Sequence, residues 1–290
     1  MKTRLTLLIA SLLLLMGNRS QAQIDPWSST AWWTPIIYGP NLYPDFTGDQ
    51  QTGSSEGDIV GNLSNASLYL GYYNGGTTNV FTDGQLAFRF RLGADKSPAG
   101  YKGVAVIGMD LDMDGSLDLF AGVNNSGSTP MIGLWYAGTG ANSSPNSTSI
   151  SSTPTYSYNE TAANYSWMPV SLSNDPSATS TDIDGGGSTD YFLSFAISFA
   201  DLVAMANTIV PGFDESSTVN FVAITGTQLN SLNQDINGIN GGINSGINWQ
   251  DLGAFSQTYT GGGELVVPEP SSAALGGILL AALLIFRRPH

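Results

Sequence analysis

The stretch QLAFRFRL at 85–92 constrains the fold more than any other part of the chain. Leu86, Phe88, Phe90 and Leu92 recur at every second residue, with Arg89 and Arg91 between them. Successive side chains of an extended chain point to opposite faces, so this pattern makes a strand with one apolar face; wound into a helix, the same residues would be split over two sides. It reads as a half-buried antiparallel strand. Runs at 67–73, 103–109, 117–123, 131–136, 191–199 and 219–225 carry related strand patterns bounded by Gly, Asn, Ser and Pro. Helical periodicity is confined to 200–207 and one turn at 249–252. Many short strands with few helices predict an all-β chain: an antiparallel β-sandwich with long polar loops and few short helices. Leu86, Phe88, Phe90, Tyr191, Leu193 and Phe195 are expected to face its core.

Three polar stretches, 41–62, 138–164 and 230–248, interrupt the strands and read as loops. The last holds a quasi-repeat, INGINGGINSGIN, from Ile236 to Asn248. So short a run cannot stack the three or more units a solenoid needs, so it reads as a surface loop with isoleucine anchors.

Both ends of the chain are apolar. Lys2 and Arg4 precede an apolar run from Leu5 to Met16, and Ser20-Gln21-Ala22 is a small-x-small site, the pattern of a secretory signal peptide cleaved after Ala22. An uncleaved N-terminal anchor is the alternative, disfavoured by the shortness of the run. At the other end the uncharged run from Ala273 to Phe286 falls short of the roughly 20 residues that span a bilayer core comfortably. It predicts a short transmembrane helix, with Arg287 and Arg288 on the cytoplasmic side and the body of the protein across the membrane.

An ordinary C-terminal membrane helix would have the same apolar run, and Pro268-Glu269-Pro270 is what separates the two readings. Proline removes backbone donors and disfavours helix, which leaves an extended, protease-accessible segment before the apolar run. Pro268-Glu269-Pro270, the apolar run and Arg287-Arg288, in that order, resemble the PEP-CTERM sorting signal of exported bacterial proteins. The resemblance implies that an exosortase removes the tail and passes the body to the cell surface or extracellular matrix. It also implies a membrane attachment that lasts only until processing. The chain is thus expected to divide into a signal peptide at 1–22, a β-sandwich ectodomain at 23–260, a flexible tether at 261–267 around Gly261-Gly262-Gly263, and the sorting signal at 268–290.

Without those ends the body keeps four basic residues, Arg89, Arg91, Lys96 and Lys102, against 22 acids, a formal charge of −18. Such a balance repels nucleic acid and anionic lipid and favours cations, so no nucleic-acid partner is expected. There is no cysteine, and the single histidine, His290, lies beyond the sorting helix. Thiol nucleophiles, disulfides, histidine-based triads and His/Cys zinc sites are therefore excluded from the body.

Carboxylates are what remain for chemistry. In Asp110-Leu-Asp112-Met-Asp114-Gly115-Ser-Leu-Asp118, acids occupy positions 1, 3, 5 and 9 and glycine position 6, the oxygen-ligand spacing of a calcium loop. Position 12, where a helix-loop-helix site has glutamate, is Ala121, and strands flank the loop. It resembles instead the short aspartate loops of dockerin-like and thrombospondin-type repeats. Asp182-Ile-Asp184-Gly-Gly186-Gly187-Ser-Thr-Asp190 has the same skeleton with glycine in place of the fifth-position acid. Both loops continue into a strand. The alternative is that Asp and Gly simply serve two tight turns; against it, four close carboxylates repel one another unless a cation is near. Structural Ca2+ is the expected cofactor.

An enzyme is not expected. Glu56, Glu160, Glu215 and Glu264 could form a glycosidase pair, yet their sequence surroundings do not distinguish them from surface charge. A nucleophilic serine without a histidine partner would need lysine, and no Ser-x-x-Lys occurs in the body. Carbohydrate binding is the stronger rival to a structural role, with Trp27, Trp32, Trp33, Trp135, Trp167 and Trp249 as stacking surfaces for an exopolysaccharide.

Overall fold

The computed structural model describes residues 33–38, 45–51, 54–73, 84–96, 100–138, 140, 149–150, 153–175, 178–241 and 247–266. The signal-peptide site at Ala22, the sorting residues Pro268, Glu269, Pro270, Arg287 and Arg288, and the segment expected to cross the membrane lie outside the described residues, as do Trp27 and Trp32. Among the described residues no helix is long and apolar enough to cross a membrane.

Two antiparallel sheets form the sandwich. One contains β1 (Thr34–Pro35), β2 (Leu68–Tyr73), β3 (Gln85–Leu92), β9 (Tyr191–Ser198) and β8 (Tyr165–Pro169), in that spatial order. The other runs β11 (Asp235–Ile236), β10 (Thr218–Gly226), β4 (Val104–Asp110), β5 (Leu119–Asn124), β6 (Met131–Tyr136) and β7 (Tyr156–Tyr158), with β12 (Tyr259–Thr260) also pairing β10. Two short helices, α1 (Phe199–Ala206) and α2 (Trp249–Leu252), complete the described elements. Ser198 caps α1 by accepting from Asp201 N, and Asn248 caps α2 by accepting from Asp251 N, each satisfying a donor that the first turn leaves free.

The period-two pattern sets the register. Leu86, Phe88 and Phe90 of β3 lie opposite Ile197, Phe195 and Leu193 of β9, and all six are buried between the sheets. Phe88 meets Phe221 of the facing sheet edge-on, with ring centroids 5.5 Å apart. Tyr191, expected to face this core, is half-buried and stacks on Trp167 at 4.8 Å.

The outer faces are covered too, and this corrects the half-buried reading of β3. Arg89 and Arg91 are 1% and 0% exposed. The guanidinium of Arg89 lies 4.3 Å from the Trp33 ring centroid and 4.8 Å from that of Phe192, and its Nε donates to Ser194 Oγ at 2.9 Å. Trp33, Ala66, Val170 and Ala178 pack with Tyr69, Ala87, Phe192 and Ala196 over this face. On the other sheet, Trp249, Leu232, Ile236 and Ala254 cover Val104, Val106, Phe120, Trp135, Val222 and Ile224.

Two strands fall inside stretches expected to be loops, β7 in 138–164 and β11 in 230–248, and three more, β1, β8 and β12, form at positions with no strand signal. β7 carries the alternation Tyr-Ser-Tyr, too short and too polar to register, and pairs only with β6. Ile236 is buried and Ile239 packs beside it, so these two isoleucines of the quasi-repeat are anchors. The residues expected to form a tether fold back instead, as far as Val266. Gly261 N donates to Ser217 O at 2.6 Å, Gly262 N to Glu215 O at 2.7 Å and Val266 N to Thr258 O at 2.9 Å.

Candidate metal centres

The first aspartate loop joins β4 to β5. Strand pairing closes it, with Asp118 N donating to Met109 O at 2.8 Å. Asp110 Oδ2 accepts from Gly115 N at 3.0 Å and Asp118 Oδ2 from Leu111 N at 2.8 Å, so the two carboxylates are drawn inward across the loop. Asp112 Oδ1 accepts from Asp114 N at 3.2 Å. One oxygen from each of Asp110, Asp112 and Asp118 lies within 4.8 Å of the other two. Asp114 is not in this group; its Oδ1 accepts from Ser116 N at 2.7 Å. Asp110 is 1% exposed, and its second oxygen has no hydrogen-bond partner.

The second loop repeats the design in the opposite sheet, leading into β9. Asp182 Oδ2 accepts from Gly187 N at 2.9 Å, Asp184 Oδ1 from Gly186 N at 2.9 Å, and Asp190 Oδ2 from Ile183 N at 3.3 Å. Asp182, Asp184 and Asp190 converge within the same 4.8 Å limit. The backbone matches as well: Met113 and Gly115 have φ of 64° and 85°, and Gly185 and Gly187, their counterparts, have 72° and 78°. Left-handed backbone at both positions is what glycine permits, and Met113 is the one described non-glycine residue to adopt it.

Electrostatic surroundings separate the loops. Burial raises Asp118 to about 6, with Asp112, Asp110 and Asp114 adding to the shift. Burial likewise raises Asp110 and Asp184, each with neighbouring aspartates contributing. Asp190 also rises to about 6 through burial, although Arg91 opposes the shift. Arg91 Nη2 sits 2.7 Å from Asp190 Oδ2, both side chains fully buried, and Nη1 lies 3.7 Å from Asp175 Oδ2. Among the described residues no ion pair reaches the first loop. Sequence distance puts Asp175 outside the second loop, yet the shared arginine couples it to Asp190.

A third convergent group, Asp45, Asp49 and Asp235, is one that sequence reasoning missed. Asp235 is far in the chain from Asp45 and Asp49 and shares no motif with them, so no spacing could have revealed it.

The remaining candidates are also placed. Glu56 accepts from Lys96 N at 3.1 Å and Lys102 N at 2.8 Å, a structural use of both oxygens. Glu215 and Glu264 line one cleft of about 670 Å3 with Tyr72 and Tyr73, and Tyr72 Oη donates to Glu215 Oε2 at 2.8 Å. Trp33, Trp135 and Trp249 are buried and offer no open platform for a sugar, while Trp167 is half-buried, stacked on Tyr191 and tilted against Tyr101. No protein-family model, curated protein or solved structure matches the chain.

Proposed function

We propose that the chain is an exported cell-surface or extracellular-matrix protein of a bacterial biofilm, a calcium-stabilised structural or interaction module without catalytic activity. Signal peptidase and an exosortase would process it during export. One observation carries the calcium part of this reading. Two loops in different sheets, from separate parts of the sequence, hold three carboxylates each in the same geometry, and among the described residues no ion pair balances the first. Carboxylate and backbone oxygens at this spacing suit a hard divalent cation, with Asp110, Asp112 and Asp118, and Asp182, Asp184 and Asp190, as the side chains that would hold it. The export part rests on the terminal signals alone.

Intact-mass measurement of protein from its native host tests the processing. The expected species lacks about the first 22 residues and everything after the Pro-Glu-Pro region. A full-length membrane species in cells with an active exosortase would overturn it.

The cleft lined by Tyr72, Tyr73, Glu215 and Glu264 supports a second reading, binding of an exopolysaccharide. A polysaccharide array decides between the two. A reproducible hit abolished by Tyr73→Ala would favour the glycan module, and turnover of the bound glycan abolished by Glu215→Gln or Glu264→Gln would make it a carboxylate glycosidase.

A further inference from the structure

Asp45, Asp49 and Asp235 converge, with Asp58 nearby, where the segment around Gly57 to Val60 crosses from one sheet to the other. Ile59 forms a bridge with Leu92 at the end of β3, while Thr225 Oγ1 at the end of β10 donates to Gly57 O. Backbone N–H groups hold one oxygen of each carboxylate. Gly238 N donates to Asp45 Oδ1 at 2.6 Å, Gly241 N to Asp49 Oδ2 at 2.7 Å, Gly48 N to Asp58 Oδ2 at 2.9 Å and Ile59 N to Asp235 Oδ2 at 2.5 Å. Asp58 is thereby fixed between Asp49, whose neighbour it grips, and Asp235, which grips its own neighbour.

The other oxygens are the informative ones. Asp45, Asp58 and Asp235 are 6%, 0% and 3% exposed. Asp45 Oδ2, Asp49 Oδ1 and Asp58 Oδ1 are buried without any hydrogen-bond donor, and so is Gln50 Oε1 on the residue after Asp49. Buried acceptors without partners are rare in a folded protein, and four within two short segments, three of them carboxylate oxygens, ask for a common partner. No lysine or arginine supplies it among the described residues, whose only ion pairs are those of Arg91. A water can satisfy two acceptors at most, whereas a calcium ion takes six to eight oxygen ligands in irregular geometry.

We propose that this cluster is a third calcium site, made by Asp45, Asp49 and Asp235 with Asp58 beside them, which pins residues 45–51 to the crossover into β11 of the second sheet. The site stands independently of the two aspartate loops, because it shares no ligand with either.

Calcium binding by the chelator-stripped full chain carrying Asp112→Ala and Asp182→Ala, which disable the loops, isolates the site. One equivalent of calcium should remain, and adding Asp235→Asn or Asp45→Asn should weaken it by about tenfold or more. In chelator these asparagine variants should melt no lower than their parent, because the amide oxygen still accepts from Ile59 or Gly238 while a buried charge is gone. That control separates loss of the site from loss of the fold. Absence of a remaining equivalent at neutral pH would overturn the proposal in favour of carboxyls sharing protons. Unchanged calcium affinity in both asparagine variants would overturn it as well. Failure of the loop sites alone would show differently, as no change in stoichiometry when Asp112→Ala is introduced.

Discussion

The two aspartate loops have the same skeleton and different company. Asp110 and Asp182 both reach five residues ahead to a glycine N–H, and Asp118 and Asp190 both reach seven residues back to a backbone N–H. In the second loop, however, Asp190 is ion-paired with the buried Arg91, while among the described residues no ion pair reaches the first loop. Local sequence therefore dictates the turn, and distant residues dictate its charge. On the proposed calcium reading, the first loop would draw its counter-charge from solution, whereas the second has part of it in Arg91.

Cutting the ion pair should break this comparison most sharply. Asp190→Ala leaves the Arg91 guanidinium buried with Asp175 3.7 Å away as its remaining acid, and removal of one partner of a buried pair costs about 3–5 kcal/mol. Asp118→Ala removes a carboxylate that faces like charges and should cost far less in chelator. Denaturant unfolding of both variants in excess chelator measures the difference, and equal losses would mean that Arg91 does not distinguish the loops.

Calcium should act in the reverse order. At free calcium 100-fold above the dissociation constant, each occupied site adds about 2.7 kcal/mol to the folded state. Asp112→Ala should remove that share of the calcium-induced rise in melting temperature, and Asp184→Ala a smaller share because Arg91 weakens the second loop. Magnesium, which sheds water reluctantly and demands octahedral geometry, should do less. The scans belong at fixed ionic strength, so that screening of the body's −18 charge is not read as binding. A melting temperature indifferent to calcium and chelator would leave two acidic turns.

How far these contrasts could be read from sequence follows from what is local. The alternation in 85–92 gave the strand and its inward face, because side-chain direction depends only on extended backbone. It could not give the fate of Arg89 and Arg91, since that depends on Trp33, Val170 and Asp190, brought over the outer face by other segments. The spacing of Asp110 to Asp118 predicted four carboxylates and that of Asp182 to Asp190 three; Asp114 instead accepts from Ser116 N and leaves the first group at three, which spacing alone could not reveal. The convergence of Asp45, Asp49 and Asp235 was illegible altogether, as was the cleft that Glu215 and Glu264 both line. Short edge strands such as β7 and β11 form because a neighbouring strand offers hydrogen bonds, and their own residues scarcely announce them.

Acidity should expose the shared part of the two loops. Burial raises both Asp118 and Asp190 to about 6, above the unfolded value of about 3.9. The folded state therefore binds these protons more tightly, so their stabilising effect is complete below about pH 4 and is lost as pH rises through about 6. Asp118 faces Asp112, Asp110 and Asp114 and the Leu111 N–H, and Asp190 faces Arg91, Asp184 and the Ile183 N–H. In chelator the melting temperature should fall between pH 4 and 7 by about 2–4 °C for each kcal/mol lost. Calcium should remove most of that slope, since the cation replaces the protons. Asp118→Asn should flatten the chelator curve in part; a melting temperature that climbs steadily with pH would reverse the sign and refute the burial argument.

The smallest expected effect comes from the one backbone position where the loops differ. Met113 and Gly185 occupy the same left-handed position, with φ of 64° and 72°. A side chain there crowds its own carbonyl, a cost of roughly 1–2 kcal/mol, partly offset because glycine gains more freedom than methionine in the unfolded chain. Met113 is 37% exposed, so replacing it removes little packing. Met113→Gly should therefore stabilise the protein by about 0.5–1 kcal/mol and Gly185→Ala destabilise it by a similar amount. Both effects should persist in calcium and in chelator, because they act on the turn and not on its charge. Destabilisation by Met113→Gly would mean that the methionine contributes contacts over the cleft it lines with Gln250 and Phe255, and that the first loop is held by its neighbours as firmly as the second is held by Arg91.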